Sequence, residues 1–196
     1  MKRRTLIATT ATLFSLGATR TVWSQTAKQL SLESRSVPFN NYGRRIQNAP
    51  FGEEITKINN YNRTSPYIAN AGLLQEGGLE ELKALGFKLV VDLRGKDEKG
   101  VSEEVQLANE IGIPYTNIPV VDRAPTWGQV DALMALIHDK KNYPMIIHCV
   151  SSNRSGAIWA MYRYRVGVDA LTAIEEGRAA GLESRESAVR KALKLD

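Results

Sequence analysis

The stretch His148-Cys149-Val150-Ser151-Ser152-Asn153-Arg154-Ser155-Gly156 decides how this chain folds. It follows the apolar run from Pro144 to Ile147, which is typical of a short buried strand. It precedes residues 157–165, whose apolar and aromatic side chains are typical of a helix that ends near Gly167. The order of these segments predicts a tight loop between the carboxyl end of a strand and the first turn of a helix, and this loop carries the only cysteine of the chain.

Such a loop is suited to binding an oxyanion, because its successive backbone N–H groups point inward and the helix dipole adds partial positive charge. The same field stabilises a thiolate at Cys149, the reactive form of cysteine. Arg154 offers a planar two-pronged donor for phosphate or sulfate oxygens, and the Ser155 hydroxyl can donate to the sulfur.

The alternative is a buried structural cysteine followed by a helix-capping serine. We favour the functional interpretation because Cys, Arg and Ser recur at the spacing that one anion loop needs. The residues expected to bind phosphate are Val150, Ser151, Ser152, Asn153, Arg154 and Ser155.

This stretch resembles the signature loop of the cysteine-dependent protein tyrosine and dual-specificity phosphatases, H-C-x5-R-[ST]-G. It is more similar to an atypical bacterial branch, found as phosphatase-like domains of β-lactamase-hydrolase-like proteins and of proteins fused to NAD kinase-like domains. The segment from Glu175 to Leu182 and the unit from Leu82 to Arg94 are also similar to that branch. One departure matters: four residues, not five, separate Cys149 from Arg154. The atypical branch has this shorter loop, and so do the rhodanese sulfurtransferases.

The resemblance implies a general acid that protonates the leaving oxygen and lies some tens of residues before the cysteine. Asp122 is in such a place, and the alternative for this residue is a solvated loop carboxylate. Asp131 is a weaker candidate because it lies inside a predicted helix. We expect Asp92, at the end of another strand, to brace the anion loop or to line its pocket. His148 is either a supporting residue that hydrogen-bonds within the loop or a packed strand-end histidine.

The rest of the chain predicts an α/β fold with a parallel, or mostly parallel, central sheet flanked by helices, as in the tyrosine phosphatases. Strands and helices alternate from about residue 67, which is typical of a parallel sheet. Ligands in such sheets bind at the carboxyl ends of the strands, where Cys149 lies. Further elements are predicted as follows: helices at 79–85, 102–111, 126–139, 155–166, 169–180 and from 187, and strands at 67–69, 87–93 and 114–120.

The N-terminus has the order of a secretory signal. Residues 1–24 combine the basic start Lys2-Arg3-Arg4 with a short apolar region, and small or aliphatic residues precede a cleavage site after Ser24. The apolar region is too short for a stable membrane span. We expect export to the periplasm or secretion, by the Sec route or, given the arginine pair, by the twin-arginine route, and the alternative is an uncleaved anchor. We expect residues 25–50 to form an extended arm and residues 51–196 to form the phosphatase-like domain.

Net charge and composition indicate which partners and cofactors can be expected. The net charge is +5, but removal of residues 1–24 takes away four basic residues and leaves +1, which gives no reason to expect nucleic acid or an anionic membrane as a partner. The two histidines, one cysteine and scattered carboxylates show no metal-ligand spacing, and we expect neither a metal nor a cofactor. An unpaired thiol is prone to oxidation in an oxidising compartment. The position of this thiol in the anion loop therefore favours a functional cysteine over an accidental one.

The sequence therefore predicts an exported phosphatase that acts on a phosphorylated protein or small molecule through a phosphocysteine on Cys149. Two alternatives stay open. One is a rhodanese-like sulfurtransferase that carries a persulfide on Cys149, and the other is a module that binds an anion without turnover.

Overall fold

The computed structural model describes residues 47–195, within which five short strands form a single sheet. The strands are β1 Asn62–Ser65, β2 Ile68–Ala71, β3 Leu89–Asp92, β4 Tyr115–Asn117 and β5 Met145–His148. Their order across the sheet is β1-β2-β5-β3-β4. Strands β2, β5, β3 and β4 are parallel, and β1 pairs with β2 in the antiparallel direction at one edge. This arrangement confirms the predicted α/β fold with a mostly parallel sheet.

Helices connect the parallel strands, as the alternating sequence pattern predicts. The α-helices of the described residues are α1 Gly78–Ala84, α2 Val101–Ile111, α3 Trp127–His138, α4 Asn153–Arg165, α5 Ala170–Ala179 and α6 Glu186–Ala192. The start of α3 has the capping box that its sequence predicts: Gln129 N–H donates to the Thr126 hydroxyl (3.3 Å), and Thr126 N–H donates to the Gln129 side chain (2.7 Å). Short 3₁₀ turns lie at Gly52–Glu54 and Lys140–Asn142.

A hydrophobic cluster covers each face of the sheet, and the side chains of β5 contribute alternately to the two clusters. Met145 and Ile147 belong to one hydrophobic cluster, whereas Ile146 belongs to another, because successive strand residues point to opposite faces. The cluster on the Ile147 side is the larger and includes residues 157–162 of α4. Each of the four residues of β5 is buried, as expected for a central parallel strand. The end of this strand therefore has a rigid support for the residues that follow it.

Helices α4 and α5 approach each other closely because small residues lie at their contact. A Cβ at Gly156 would lie 2.1 Å from the amide nitrogen of Leu182 and 2.6 Å from the carbonyl oxygen of Gly177. Gly181 has a left-handed backbone (φ 102°), and a Cβ there would lie 2.4 Å from the Cβ of Ser152. The segment 175–182 thus packs directly against the start of α4, which gives a physical reason for its sequence pattern.

We expect Gly156→Ala to destabilise the protein by about 1–3 kcal/mol or more, because the added methyl group would overlap backbone atoms that cannot move independently. The matched control is Gly128→Ala, since a Cβ at Gly128 on helix α3 would meet only the Thr126 hydroxyl at 4.0 Å. This control should be neutral or stabilising by about 0.5–1 kcal/mol. Urea denaturation of both variants measures the difference, and equal stability would contradict the close contact of α4 with α5.

The predicted signal segment and most of the predicted arm lie outside the described residues. The described end of the arm packs on the domain: Ala49 is fully buried, and its N–H donates to the carbonyl oxygen of Pro66 (2.9 Å). Among residues 47–195, no helix combines the length and hydrophobicity that a membrane crossing requires.

Candidate active site

Cys149 lies at the carboxyl end of the central strand β5 and is almost completely buried. Its N–H donates to the carbonyl oxygen of Ala71 at the end of β2 (3.3 Å). On the other side, the N–H of Leu93, directly after β3, donates to the carbonyl oxygen of His148 (2.9 Å). The two neighbouring strands therefore hold the cysteine backbone from both sides.

The loop after Cys149 leaves a row of backbone donors unused. In the part of the chain that the structure describes, the amides of residues 150–155 donate to no backbone oxygen. Ser152 is buried and adopts a left-handed backbone (φ 67°), which turns the chain into α4. The Ser152 hydroxyl donates to the carbonyl oxygen of Asn60 (3.3 Å), and the Gly156 amide donates to the Ser152 carbonyl oxygen (2.8 Å). A turn of this kind at the start of a helix forms an anion-binding concavity.

Ser155 lies beside the cysteine sulfur. Its hydroxyl oxygen is 3.8 Å from the Cys149 Sγ, and it is also within hydrogen-bond distance of the carbonyl oxygens of Ala71 (3.0 Å) and Ile147 (3.2 Å). A hydroxyl has one proton to donate, so Ser155 can transfer its hydrogen bond between these carbonyls and the sulfur without a change of backbone.

Arg154 is fixed by a carboxylate that the sequence analysis did not select. Its Nη2 donates to the Glu98 Oε2 (2.8 Å), and its Nη1 donates to the Glu98 Oε1, which gives a two-pronged ion pair. Glu98 is itself held by the N–H of Gly95 (2.6 Å), in the loop that follows β3. A guanidinium has five N–H groups, and this end-on pairing uses two of them, so Nε–H and one hydrogen on each Nη remain for an anion.

Both members of the Arg154–Glu98 pair are ionised at neutral pH. The hydrogen bond from Arg154 lowers the pKa of Glu98 below its ordinary value of 4.5, although partial burial opposes this shift. The same hydrogen bond raises the pKa of Arg154. Because the folded-state pKa of Glu98 is depressed, the stabilisation is fully present above pH 4.5 and is lost only as the pH falls through the lowered value.

A largely buried polar network includes His148, the residue directly before Cys149. Asp92 accepts hydrogen bonds from the Arg94 N–H (2.9 Å) and from the Tyr115 hydroxyl (2.6 Å), and the Arg94 Nη2 lies 2.8 Å from the Glu104 carboxylate. The His148 Nε2 lies 3.0 Å from the Glu104 Oε1, at ion-pair distance. Burial raises the pKa of Asp92, but the hydrogen bonds from Arg94 and Tyr115 outweigh it, so that this pKa is lowered. The carboxylate of Asp92 is therefore held by Arg94 and Tyr115, and its role as a brace of the anion loop stays a prediction.

Three members of this network have the chemistry of metal ligands. One possible ligand atom each from Asp92, Glu104 and His148 lies within 4.8 Å of the others. Arg94 already supplies the cation, since its Nη2 lies 2.9 Å from Asp92 and 2.8 Å from Glu104. A metal would have to compete with this guanidinium for the same carboxylates, so the cluster fits a structural role better than a metal site.

The two candidate general acids, Asp122 and Asp131, lie in different segments of the chain. Asp122 lies in the exposed loop before α3, where its backbone carbonyl oxygen accepts a hydrogen bond from the Arg185 guanidinium. Its carboxylate forms no hydrogen bond or ion pair within residues 47–195. Asp131 pairs with Arg165 (3.0 Å), at the end of α4 remote from the loop, which places it away from the cysteine. Of the two, only Asp122 belongs to a segment that is tied to the anion loop.

Comparison with known proteins fits this geometry. Residues 52–194 match the family described as the DSP-PTPase phosphatase fused to NAD+ kinase. The chain belongs to this family. The match confirms the resemblance seen in the sequence and makes the protein a cysteine-dependent phosphatase of the tyrosine and dual-specificity superfamily. Comparison with curated protein sequences found no match.

Solved structures share the fold of this phosphatase at low sequence identity. A DUF442 phosphatase from Shewanella putrefaciens is 20% identical, with 73% of this chain and 96% of that chain covered and a TM-score of 0.58. A variant of TpbA from P. aeruginosa, in complex with phosphotyrosine, is 22% identical, covers 79% and 97%, and has a TM-score of 0.55. The catalytic domain of the PP-IP phosphatase Siw14 from S. cerevisiae is 13% identical, covers 72% and 92%, and has a TM-score of 0.57.

Two residues near the anion loop of the phosphatase, Glu98 and Arg185, were not predicted from the sequence. Glu98 lies in a polar loop without periodicity. The signal that could have identified it is that this loop follows a strand that neighbours the cysteine strand. Arg185 precedes α6, about thirty residues after the anion loop, and nothing in its local pattern distinguishes it from a surface arginine. Only the fold brings these two side chains to the loop.

Proposed function

We propose that this phosphatase hydrolyses phosphate monoesters through a covalent phosphocysteine on Cys149. The observation that carries the proposal is the arrangement around the sulfur: unused amides of residues 150–155 and the braced guanidinium of Arg154 surround a buried cysteine. Donors fixed in this way can hold three phosphoryl oxygens and stabilise the charge that spreads over them in the transition state.

The reaction has two steps. In the first, the Cys149 thiolate attacks phosphorus, the S–P bond forms, and the P–O bond to the leaving group breaks while Asp122 gives the leaving oxygen a proton. In the second, Asp122 takes a proton from water, which attacks phosphorus and releases inorganic phosphate and the thiolate. The Ser155 hydroxyl, 3.8 Å from the sulfur, supports the departure of the thiolate by donating to it.

The second candidate is sulfur transfer, and one observation favours it. Only four residues separate Cys149 from Arg154, as in the rhodanese-like loops. A persulfide on Cys149 would need the same thiolate and the same amides. The braced guanidinium, with donors left for several oxygens, and the family match over residues 52–194 favour phosphate.

The experiment that separates these functions is a parallel assay of the purified protein. Phosphate release is measured from a panel that contains an aryl phosphate, phosphotyrosine and phosphoserine peptides, a nucleotide and small phosphate esters. Transfer of sulfur from thiosulfate to cyanide is measured beside it. We expect phosphate release from at least one ester and no thiocyanate; thiocyanate without phosphate release would contradict the proposal.

We expect Asp122→Asn to slow the hydrolysis of esters with poor leaving groups by about 10²–10⁴-fold, the usual contribution of a general acid. Esters with a very good leaving group need no proton at this step, so their first step should be affected far less. The matched control is Asp131→Asn, which removes a carboxylate that pairs with Arg165 away from the loop. Pre-steady-state release of the leaving group measures the first step for both classes of ester. An equal loss for both classes would exclude Asp122 as the acid.

We infer from the order of residues 1–24 that the protein is exported and that the chain is cleaved after Ser24. The experiment is fractionation of cells that express the full chain, followed by N-terminal sequencing of the product. We expect a chain that starts at Gln25 in the periplasmic or extracellular fraction. An intact chain confined to the cytoplasm would show that the basic start and apolar region do not act as a signal.

A further inference from the structure

A turn formed by Glu183, Ser184 and Arg185 lies directly against the anion loop. The Asn153 Oδ1 accepts hydrogen bonds from the N–H groups of Glu183 (3.1 Å) and Arg185 (3.3 Å), and its Nδ2 donates to the Ser184 hydroxyl (2.8 Å). One side chain of the anion loop thus binds all three residues of the turn. The position of Arg185 relative to the loop is fixed by these bonds.

The loop that carries the candidate acid is joined to the same turn by two guanidinium groups. The Arg123 Nη2 donates to the carbonyl oxygen of Ser184, and the Arg185 Nη1 donates to the carbonyl oxygen of Asp122. Each contact uses one N–H of a group that has five, so four N–H groups of each arginine remain. Arg123 is exposed and Arg185 is half-buried, so neither arginine is shut off from solvent.

Among the described residues, the guanidinium groups of Arg123 and Arg185 have no carboxylate partner, unlike five other arginines of the fold. Arg94, Arg154, Arg163, Arg165 and Arg178 each form an ion pair with an acidic side chain. Within residues 47–195, neither Arg123 nor Arg185 lies within ion-pair distance of a carboxylate. Uncompensated positive charge at a protein surface attracts anionic ligands.

Arg185 also lies within electrostatic range of the reacting groups. Burial lowers its pKa, the positive charges of Arg154 and Arg123 lower it further, and the charges of Cys149 and Glu98 oppose this shift. Three guanidinium groups therefore share one region, and Glu98 is the carboxylate that pairs with one of them. The repulsion between them falls when a second anion binds beside the first.

We propose that Arg123 and Arg185 form a second anion-binding subsite on the leaving-group side of the anion loop. The inference rests on the proposed phosphatase function and specifies its substrate: a small phosphate monoester whose leaving group carries a second phosphate. The phosphate to be cleaved binds the amides of residues 150–155 and Arg154. The second phosphate binds Arg123 and Arg185, which fixes the leaving oxygen beside the Asp122 loop.

The test compares short α,ω-alkanediol bisphosphates of increasing length with the monophosphates in which a hydroxyl replaces the second phosphate. We expect the wild-type protein to prefer the best bisphosphate by about 10-fold or more in kcat/KM, the size of a charge-assisted hydrogen-bond contribution. Arg185→Gln and Arg123→Gln should each lower the bisphosphate-to-monophosphate ratio by about 10-fold. A purely structural role for these arginines would slow both substrates alike, leave the ratio unchanged and overturn the proposal.

The control variant is Arg165→Gln, which removes a surface guanidinium about 16 Å further along α4 from Arg154, at 1.5 Å per residue. We expect it to leave both rates and their ratio unchanged.

A binding measurement separates failure of the subsite from failure of the phosphatase proposal. Calorimetry with the Cys149→Ser variant compares the same bisphosphates and monophosphates without turnover. Tighter binding of a bisphosphate, lost in the Cys149→Ser/Arg185→Gln double variant, supports the subsite even if neither compound is hydrolysed. Hydrolysis of the monophosphates with no preference for a bisphosphate in rate or binding would overturn the subsite and leave the phosphatase function intact.

Discussion

Replacement of Cys149 by serine should lower phosphate release by at least about 10⁴-fold, because a hydroxyl in this position is not ionised at neutral pH and cannot replace the thiolate as nucleophile. The change is small in volume at a site that is almost completely buried, so the fold should persist. Phosphate release under single-turnover conditions measures the effect, and the thermal unfolding temperature shows whether the variant is folded.

The binding of phosphate distinguishes loss of the nucleophile from loss of the site. The amides of residues 150–155 and the Arg154–Glu98 pair do not involve the sulfur, so inorganic phosphate should still bind to the Cys149→Ser variant. Activity of this variant within about tenfold of wild type would mean that another residue performs the displacement, and the two-step scheme would be wrong.

Arg154→Lys should lower kcat by about 10²–10³-fold, the typical cost of losing one fixed donor to a developing charge. Lysine keeps the positive charge but loses the planar fork that binds Glu98 with one edge and leaves donors for phosphoryl oxygens. Glu98→Gln should have a smaller effect, about 10-fold, since the guanidinium remains but its carboxylate brace is lost. Steady-state kinetics on one ester gives both values.

The same helix offers a matched control for the arginine. Arg163 on α4 forms a two-pronged pair with Glu176 (3.1 Å for Nη2 to Oε1), at the contact of α4 with α5. Arg163→Lys makes the same chemical change away from the loop and should leave kcat within about twofold, as expected for a change remote from the reacting groups. If Arg154→Lys were as active as Arg163→Lys, Arg154 would have no special role in binding the phosphoryl group.

The central part of the fold could be predicted because its sequence carries strong local signals. The apolar run before Cys149, the helix after it and the capping box at Thr126 each appear where the pattern places them. Strand β1 was not predicted because its residues, Asn-Arg-Thr-Ser, are polar and only half-buried, so neither alternation nor a hydrophobic run marks it. Its pairing with β2 at the edge of the sheet is a tertiary effect that local propensity does not contain.

The site could be predicted only where its residues share one loop. Cys149, Arg154 and Ser155 are close in sequence, and their spacing alone indicates an anion loop. Glu98 and Arg185 reach the loop from segments 51 residues before Cys149 and 36 residues after it. Long-range partners of this kind depend on strand order and loop path, which no periodicity encodes. The position of a loop directly after a neighbouring parallel strand is the feature that would identify a residue such as Glu98.

The most direct test of the central claim is mass spectrometry of Cys149 trapped during turnover. The protein is mixed with the best ester, quenched in acid, digested and compared with a sample treated with thiosulfate. We predict a phosphate mass on the peptide that contains Cys149 in the first sample, absent from the Cys149→Ser variant, and no added sulfur in the second. A persulfide on Cys149, with no phosphocysteine from any ester, would contradict the phosphatase mechanism and assign the four-residue loop to sulfur transfer.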